Sequence, residues 1–431
     1  MPRADGERCA PSPPAPARPP RRLTQGAVAA DVEDWWGELL GPKLAFDTEK
    51  YMVICLNVLG SCYGTCGPTS ANPLTGGAYS GDFPLVTVRD SVRLHGQVLT
   101  EHLGVREVVS VVGGSMGGMQ ALEWTFLEKE RGGPRVRSAV AIACNGQHGA
   151  WQIGFSECQR QAIVTDPLWN KGDYDPASPP WDGLEVAREI AMISYRTNNA
   201  YKTKFGRLLT TGAERTKIED RTLSDSWYQG SLESEWKDGR SGVKAPGPNS
   251  DQYQVQNYLK KQGARFVERK FDPNSYLVLC ARPRRPAARP ASWLTTLARF
   301  CVLGGRSTHL MDSHDLGRER GDSVPNALGE IAIPVLVLSI ASDVLYPPQE
   351  QEELHKYLPL SEYHTIESED GHDGFLLEQQ AVNLRVVNFL TTVEADRERE
   401  ISASSQSALE SRVSELEREL SALRAELSAK L

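Results

Sequence analysis

Val108-Val109-Ser110-Val111-Val112-Gly113-Gly114-Ser115-Met116-Gly117-Gly118-Met119-Gln120-Ala121-Leu122-Glu123-Trp124 is the stretch that decides the fold. A β-branched run leads straight into glycines that bracket one serine. Beyond them Met119, Leu122 and Trp124 continue with no breaker, a helical pattern. The reading is strand, tight turn, helix. Gly113-Gly114-Ser115-Met116-Gly117 fits G-x-S-x-G, the turn that lifts a nucleophilic serine off the end of a strand. A serine at such a tip is held in a strained backbone conformation, and its neighbours must lack side chains for strand and helix to close up. The helix start then aims N–H groups and the positive end of its dipole at any oxyanion formed there. An incidental serine in a glycine-rich turn is the plainer alternative. Glycines at both required offsets, with a strand before and a helix after, argue against it.

The flanking chain alternates in the same way. Tyr51 to Asn57 and Ser138 to Ala143 read as buried strands, and Ser91 to Leu103 as an amphipathic helix before the elbow strand. The pattern returns with a strand at Ile333 to Ile340, a helix at Pro348 to Tyr357, a strand at Tyr363 to Ile366 and a helix around Leu376 to Leu390. Strands that are apolar along their whole length and alternate with helices predict an α/β fold, its mostly parallel sheet covered on both faces.

Between these halves the pattern changes. Helices are expected at Trp151 to Ile163 and Gly183 to Tyr195, then loops and charges, with a strand at Tyr276 to Leu279. This reads as a helical lid inserted above the sheet. The predicted organisation is a disordered Pro/Arg-rich tail (1–22), a first part of the core (23–170), a lid (171–330), a second part of the core (331–395) and a coiled-coil helix (396–431). The lid carries an irregular insertion near 281–308, where Arg282-Pro283-Arg284-Arg285-Pro286 precedes an apolar patch from Trp293 to Leu303. In the last segment Leu409, Val413, Leu416, Leu420, Leu423 and Leu427 alternate spacings of four and three, flanked by Glu and Arg. That seam predicts self-association, hence a homodimer.

Composition narrows the function. Over 431 residues the net charge is −8, which gives no basic field to attract nucleic acid. No apolar run approaches the roughly 18 residues of a membrane span, and the N-terminus has no apolar signal region, so the expected location is cytoplasmic. Of the eight cysteines only Cys62 and Cys66 are close in sequence. Without a second pair or a histidine cluster they read as small buried thiols, and no metal site is expected.

A serine hydroxyl needs a histidine base to attack an acyl group, and that histidine needs a carboxylate to hold its tautomer and stabilise the imidazolium. On sheets that carry this elbow the acid follows the serine and the histidine comes last. The strand at 333–340 leads into Ala341-Ser342-Asp343, and the strand at 363–366 leads into Ser368-Glu369-Asp370-Gly371-His372-Asp373-Gly374. Asp343 and His372 are therefore the expected acid and base. His364 falls within a strand and His355 within a helix.

Several ordered blocks resemble the homoserine O-acetyltransferases of the α/β-hydrolase superfamily, most closely the fungal form. They are Ala30 to Gly37 with its Trp-Trp pair, the Asn57 to Pro68 loop, and the elbow. Ala150 to Ile153, Gln159 to Ile163 and Tyr195-Arg196 follow. Phe271 to Tyr276, Met311 to Asp315, Ser342 to Leu345 and Gly371 to Asp373 complete the series. The likeness covers about residues 23 to 390. It implies an α/β-hydrolase fold and acetyl transfer from acetyl-CoA, a co-substrate and not a bound cofactor, to the hydroxyl of L-homoserine in methionine biosynthesis. It also implies that Ser115 is the nucleophile, that Arg196 takes the substrate carboxylate and that Asp373 takes its ammonium group. The Met116 N–H would supply one oxyanion donor. The second, in a His-Ala-Leu-Thr-Gly turn of the family, corresponds to Leu23 in Arg21-Arg22-Leu23-Thr24-Gln25-Gly26. The strand that should fix Leu23 reads as missing, and 281–308 splits a block that the family keeps continuous. Serine acetylation, succinyl transfer, ester hydrolysis and a catalytically impaired coiled-coil assembly protein remain open on sequence alone.

Overall fold

A computed structural model describes residues 21–25, 36–209, 253–280 and 310–430. Its sheet consists of β1 (Arg21–Gln25), β2 (Met52–Leu56), β3 (Glu107–Gly114), β4 (Arg135–Val136), β5 (Ala139–Ile142), β6 (Val335–Ile340) and β7 (Ser361–Ile366). The order is β2-β1-β3-β5-β6-β7, with the short β4 beside the start of β3, and each of these pairings is parallel. The helices that matter for the site are α1 (Val88–Gln97), α2 (Met116–Trp124), α3 (Ala150–Val164), α4 (Trp181–Ser194), α5 (Gln254–Glu268), α6 (Pro273–Cys280), α7 (Pro348–Tyr357) and α8 (Gln379–Lys430).

Period-two alternation shares the central strands between two cores. On β5, Ala139 and Ala141 join the cluster that includes Met116, Met119 and Leu122 of α2, while Val140 and Ile142 join a second cluster with Trp36 and Phe46. On β6, Val335 and Val337 face the first cluster, and Leu336, Leu338 and Ile340 the second. The second cluster is closed by Val382, Val386, Phe389 and Leu390 of α8. Both faces are dry, which is why these strands read as continuous apolar runs.

Two expectations are corrected. Arg21–Gln25 is a strand, placed between β2 and β3, so the backbone that carries Leu23 has a strand to hold it and the predicted tail overlaps the sheet. Tyr276 to Leu279 lies in helix α6. The Asp272 carboxylate accepts from the Ser275 N–H at 2.6 Å and Pro273 follows it as first helical residue, an N-cap arrangement that starts a helix. Between β5 and β6 the described residues add no strand to the sheet. The rest of the tail and the insertion near 281–308 lie outside the described residues.

Candidate active site

The elbow forms as its glycines require. Ser115 has φ 56° and ψ −124°, a left-handed conformation that costs of order 1–3 kcal/mol for a residue with a side chain. What imposes it is the close approach of strand and helix: a Cβ on Gly113 would lie 2.2 Å from the carbonyl oxygen of Gly117. The Ser115 N–H donates to Ile142 O at 2.9 Å, which binds the turn to β5. Met116 is the first residue of α2, so its N–H has no intrahelical acceptor and is available to an oxyanion.

Asp343 and His372 come together from loops that follow adjacent strands. His372 Nδ1 lies 2.7 Å from Asp343 Oδ2, and both side chains are buried. The other carboxylate oxygen, Oδ1, accepts from the Leu345 and Tyr346 N–H groups at 2.8 and 2.9 Å. The acid is thus anchored by backbone while its free oxygen fixes the imidazole. Ser342 Oγ accepts from the Gly371 N–H at 3.0 Å and ties the two loops together. Burial alone would lower the basicity of His372, but the Asp343 charge and hydrogen bond outweigh it and raise its pKa above the ordinary value. Phe375 links this pair to the elbow. Its ring lies edge-on to His372 at 5.4 Å, and it fills the space where a Cβ on Gly114 would stand 2.5 Å from it. Tyr346 and Tyr195 cover His372 at ring separations of 5.2 and 5.7 Å.

Arg196 and Asp373 also meet. Arg196 Nε lies 2.9 Å from Asp373 Oδ2, and the same guanidinium pairs with Asp370. Burial raises the pKa of the Asp373 carboxyl above the usual range, against the pull of Arg196. Beside this pair an open pocket is lined by Arg196, Ala200, Tyr201, Lys204, Phe205 and Tyr258. Leu23 lies in the middle of β1, level with Ile54 and Val111, and the strand ends with Gln25 level with Gly113.

Sequence reasoning missed a second buried cluster. Arg160 on α3 pairs with Asp312 at 2.9 Å, and His148 Nε2 approaches the other oxygen of Asp312 at 3.6 Å. His148 Nδ1 lies 3.3 Å from the Tyr346 hydroxyl. Desolvation drives the Asp312 carboxyl up to about 6 despite Arg160, and His148 down to about 3, so the imidazole is neutral. His148, Arg160 and Asp312, none of which had an assigned role, are brought together behind Tyr346 by these contacts. The expectation of buried thiols fails for one pair: Cys66 is exposed and Cys62 partly so.

The α/β hydrolase fold family matches residues 26–379 of the chain. A homoserine O-acetyltransferase of Chlorobium chlorochromatii is 40% identical over 366 residues, covering 85% of this chain and 83% of the relative. One from Fusarium oxysporum is 38% identical over 364 residues, covering 84% and 90%. Among solved structures, the homoserine O-acetyltransferase from Bacillus anthracis is similar with a TM-score of 0.60 at 22% identity, covering 86% of this chain and 88% of that one. Esterase E22 is similar with a TM-score of 0.59 at 23% identity, covering 85% and 88%. At these identities the structural likeness is one of fold.

Proposed function

The chain belongs to the homoserine O-acetyltransferases of the α/β hydrolase fold family, and on that premise we propose that it moves an acetyl group from acetyl-CoA to the side-chain hydroxyl of L-homoserine. Ser115 Oγ attacks the thioester carbonyl while His372 takes the hydroxyl proton. The oxyanion meets the Met116 N–H; Leu23, the second donor implied by the resemblance, lies within the β1 ladder level with Val111 and short of the elbow, so its N–H is not assigned to the oxyanion. The C–S bond then breaks, CoA leaves with the proton from the imidazolium, and the acetyl group stays on Ser115 as an ester. Homoserine enters, gives its hydroxyl proton to His372 and attacks that ester. Collapse releases O-acetylhomoserine and returns the proton to Ser115. Asp343 holds the imidazole in the tautomer this requires.

What supports this most directly is the buried 2.7 Å contact between His372 and Asp343, set beside the elbow through Phe375. Arg196 and Asp373 support an amino-acid acceptor. A zwitterionic amino acid brings a carboxylate for the guanidinium fork and an ammonium for the acid, and water brings neither. The lid helices restrict water at the acetyl-enzyme stage.

The test is mass spectrometry of the protein after exposure to acetyl-CoA. An acetyl adduct on the peptide that carries Ser115, cleared by homoserine and absent in Ser115→Ala, is expected. An adduct elsewhere, or full CoA release by Ser115→Ala, overturns the mechanism. Clearance by serine or water as fast as by homoserine overturns the acceptor.

A further inference from the structure

Beyond the active site, α8 runs unbroken for 52 residues from Gln379 to Lys430. Its first part is core, with Val382, Val386, Phe389 and Leu390 buried against the sheet. Ion pairs then fasten it to the start of β3 and to the connection between β4 and β5: Arg397 with Glu107 at 2.9 Å, and Glu400 with Arg137 at 2.6 Å. Past Glu400 no further ion pair joins it to the sheet among the described residues. Leu409, Val413 and Leu416 are 67%, 52% and 47% exposed, which leaves an apolar stripe in water.

The sequence says what covers it. Taking Leu409 as d, the d positions are Leu409, Leu416 and Leu423, and the a positions Val413, Leu420 and Leu427. Leucine at every d position with a β-branched residue at an a position suits two parallel strands. The flanking charges select orientation. In a parallel, in-register pair each g position faces the e position five residues later on the other helix. Arg412 then faces Glu417 of the second copy, and Glu419 faces Arg424; both charge contacts are attractive. An antiparallel pair that keeps all six seam residues together makes the attractive contacts Arg412–Glu426 and Glu410–Arg424 but also sets Glu417 against Glu417 and Glu419 against Glu419, repulsions the parallel pair lacks. We propose that the exposed part of α8 is an interaction surface whose occupant is the same segment of a second copy, joined as a parallel, in-register two-stranded coiled coil. The seam from Leu409 to Leu427 is about 27 Å long, under three heptads. That length makes it a weak, reversible contact, added to whatever association the globular part has.

Two measurements on the full chain test this. Leu409→Cys places a thiol at the first d position, where parallel strands in register bring it against its own copy, while an antiparallel pair sets the two thiols about 27 Å apart. Mild oxidation should give covalent dimers well above the background of the unaltered chain, whose exposed Cys55, Cys66 and Cys158 set that background. Arg412→Glu, and separately Glu417→Arg, each put like charges across the seam. Either should weaken association in sedimentation equilibrium by roughly three- to tenfold. Mixing the two variants restores opposite charges at both contacts, so the mixture should associate as tightly as the unaltered chain. Acetyl transfer should be unchanged in all of them and serves as the check on folding. Covalent dimers at background level, or Glu417→Arg associating as tightly as the unaltered chain, overturns the proposal; an antiparallel pair, in which residue 417 meets only its own copy, gives the second result as well.

Discussion

Arg196 and Asp373 form an ion pair, Nε to Oδ2 at 2.9 Å, although they are assigned to opposite ends of the same substrate. Each neutralises the other, with Asp370 also on the guanidinium, so neither is a bare buried charge. An amino acid bearing both charges exchanges one ion pair for two, at little net cost in desolvation. A substrate with only one of the charges leaves one partner uncompensated. With the proposed roles of Arg196 and Asp373, discrimination would come from charge and not from shape.

The pair should therefore act on the second half-reaction alone. Arg196→Lys keeps the charge and loses the fork. The acetyl-enzyme burst with acetyl-CoA should stay within a few-fold, while kcat/KM for homoserine falls by roughly 100-fold. Rapid-mixing measurement of CoA release beside steady-state kinetics separates the two. Equal losses in both halves would mean that Arg196 only braces the His372 loop.

The pH profile carries the sign of the His372 shift. Its pKa is raised: burial opposes the charged form, and Asp343 more than restores it. The base must be neutral to act, so kcat/KM should rise with pH through an apparent value above about 6.5 and then level off. Asp343→Asn removes what raises the pKa and leaves the burial, so the acidic limb should move to lower pH. The plateau should drop by on the order of 10³- to 10⁴-fold. An unmoved limb would show that some other group governs it. The same shift makes the folded protein hold this proton more tightly than the unfolded chain. Its contribution to stability is complete below about 6.5 and is lost as pH rises through the raised value.

Where local chemistry dictated the structure, the sequence could be read. The elbow announces itself because a side chain at Gly113 would strike the Gly117 backbone and one at Gly114 the Phe375 ring, and β5 and β6 because strands buried on both faces must be apolar throughout. Asp343 and His372 followed from their places after β6 and β7. Helix α6 was misread because Tyr276 to Leu279 is short and wholly apolar, so periodicity cannot tell helix from strand. The usable signal was Asp272-Pro273, an N-cap followed by a proline at the first helical position. Strand β1 was missed for the opposite reason. Arg21-Arg22-Leu23-Thr24-Gln25 has almost no apolar content, and its place between β2 and β3 comes from backbone pairing. The Arg160–Asp312 pair spans 152 residues of sequence, and nothing local to either residue announces the other.

Gly371 locks the histidine loop onto the lid. Its φ is +69°, and a Cβ there would stand 2.8 Å from the Tyr195 carbonyl oxygen, next to the Arg196 backbone. The Asp373 N–H donates to that same oxygen at 3.2 Å. Gly371→Ala should destabilise the protein by about 1–3 kcal/mol through left-handed strain and push His372 away from Asp343. A lower thermal midpoint is expected, together with slower acetylation of Ser115. An unchanged midpoint with unchanged acetylation would show that the loop accommodates a side chain, and that this contact does not set the base.

The buried cluster behind Tyr346 predicts a stability effect that depends on pH. Asp312 titrates at about 6 in the folded protein because burial outweighs Arg160, against roughly 3.9 when unfolded. A carboxyl raised in this way contributes stability that is full below the unfolded value and lost as pH climbs through the folded one. Arg160→Met removes the only cation within 4 Å of Asp312 among the described residues and drives that carboxyl further up. At pH 8 the variant must bury an uncompensated charge or protonate Asp312 against the solution, a loss of about 3–5 kcal/mol. At pH 5 the acid is already largely neutral and the loss should be much smaller. Thermal midpoints of both proteins at the two pH values check this. A loss of the same size at both would assign the effect to the other contacts of Arg160, with Glu157 and the Cys280 carbonyl, and not to the charge on Asp312.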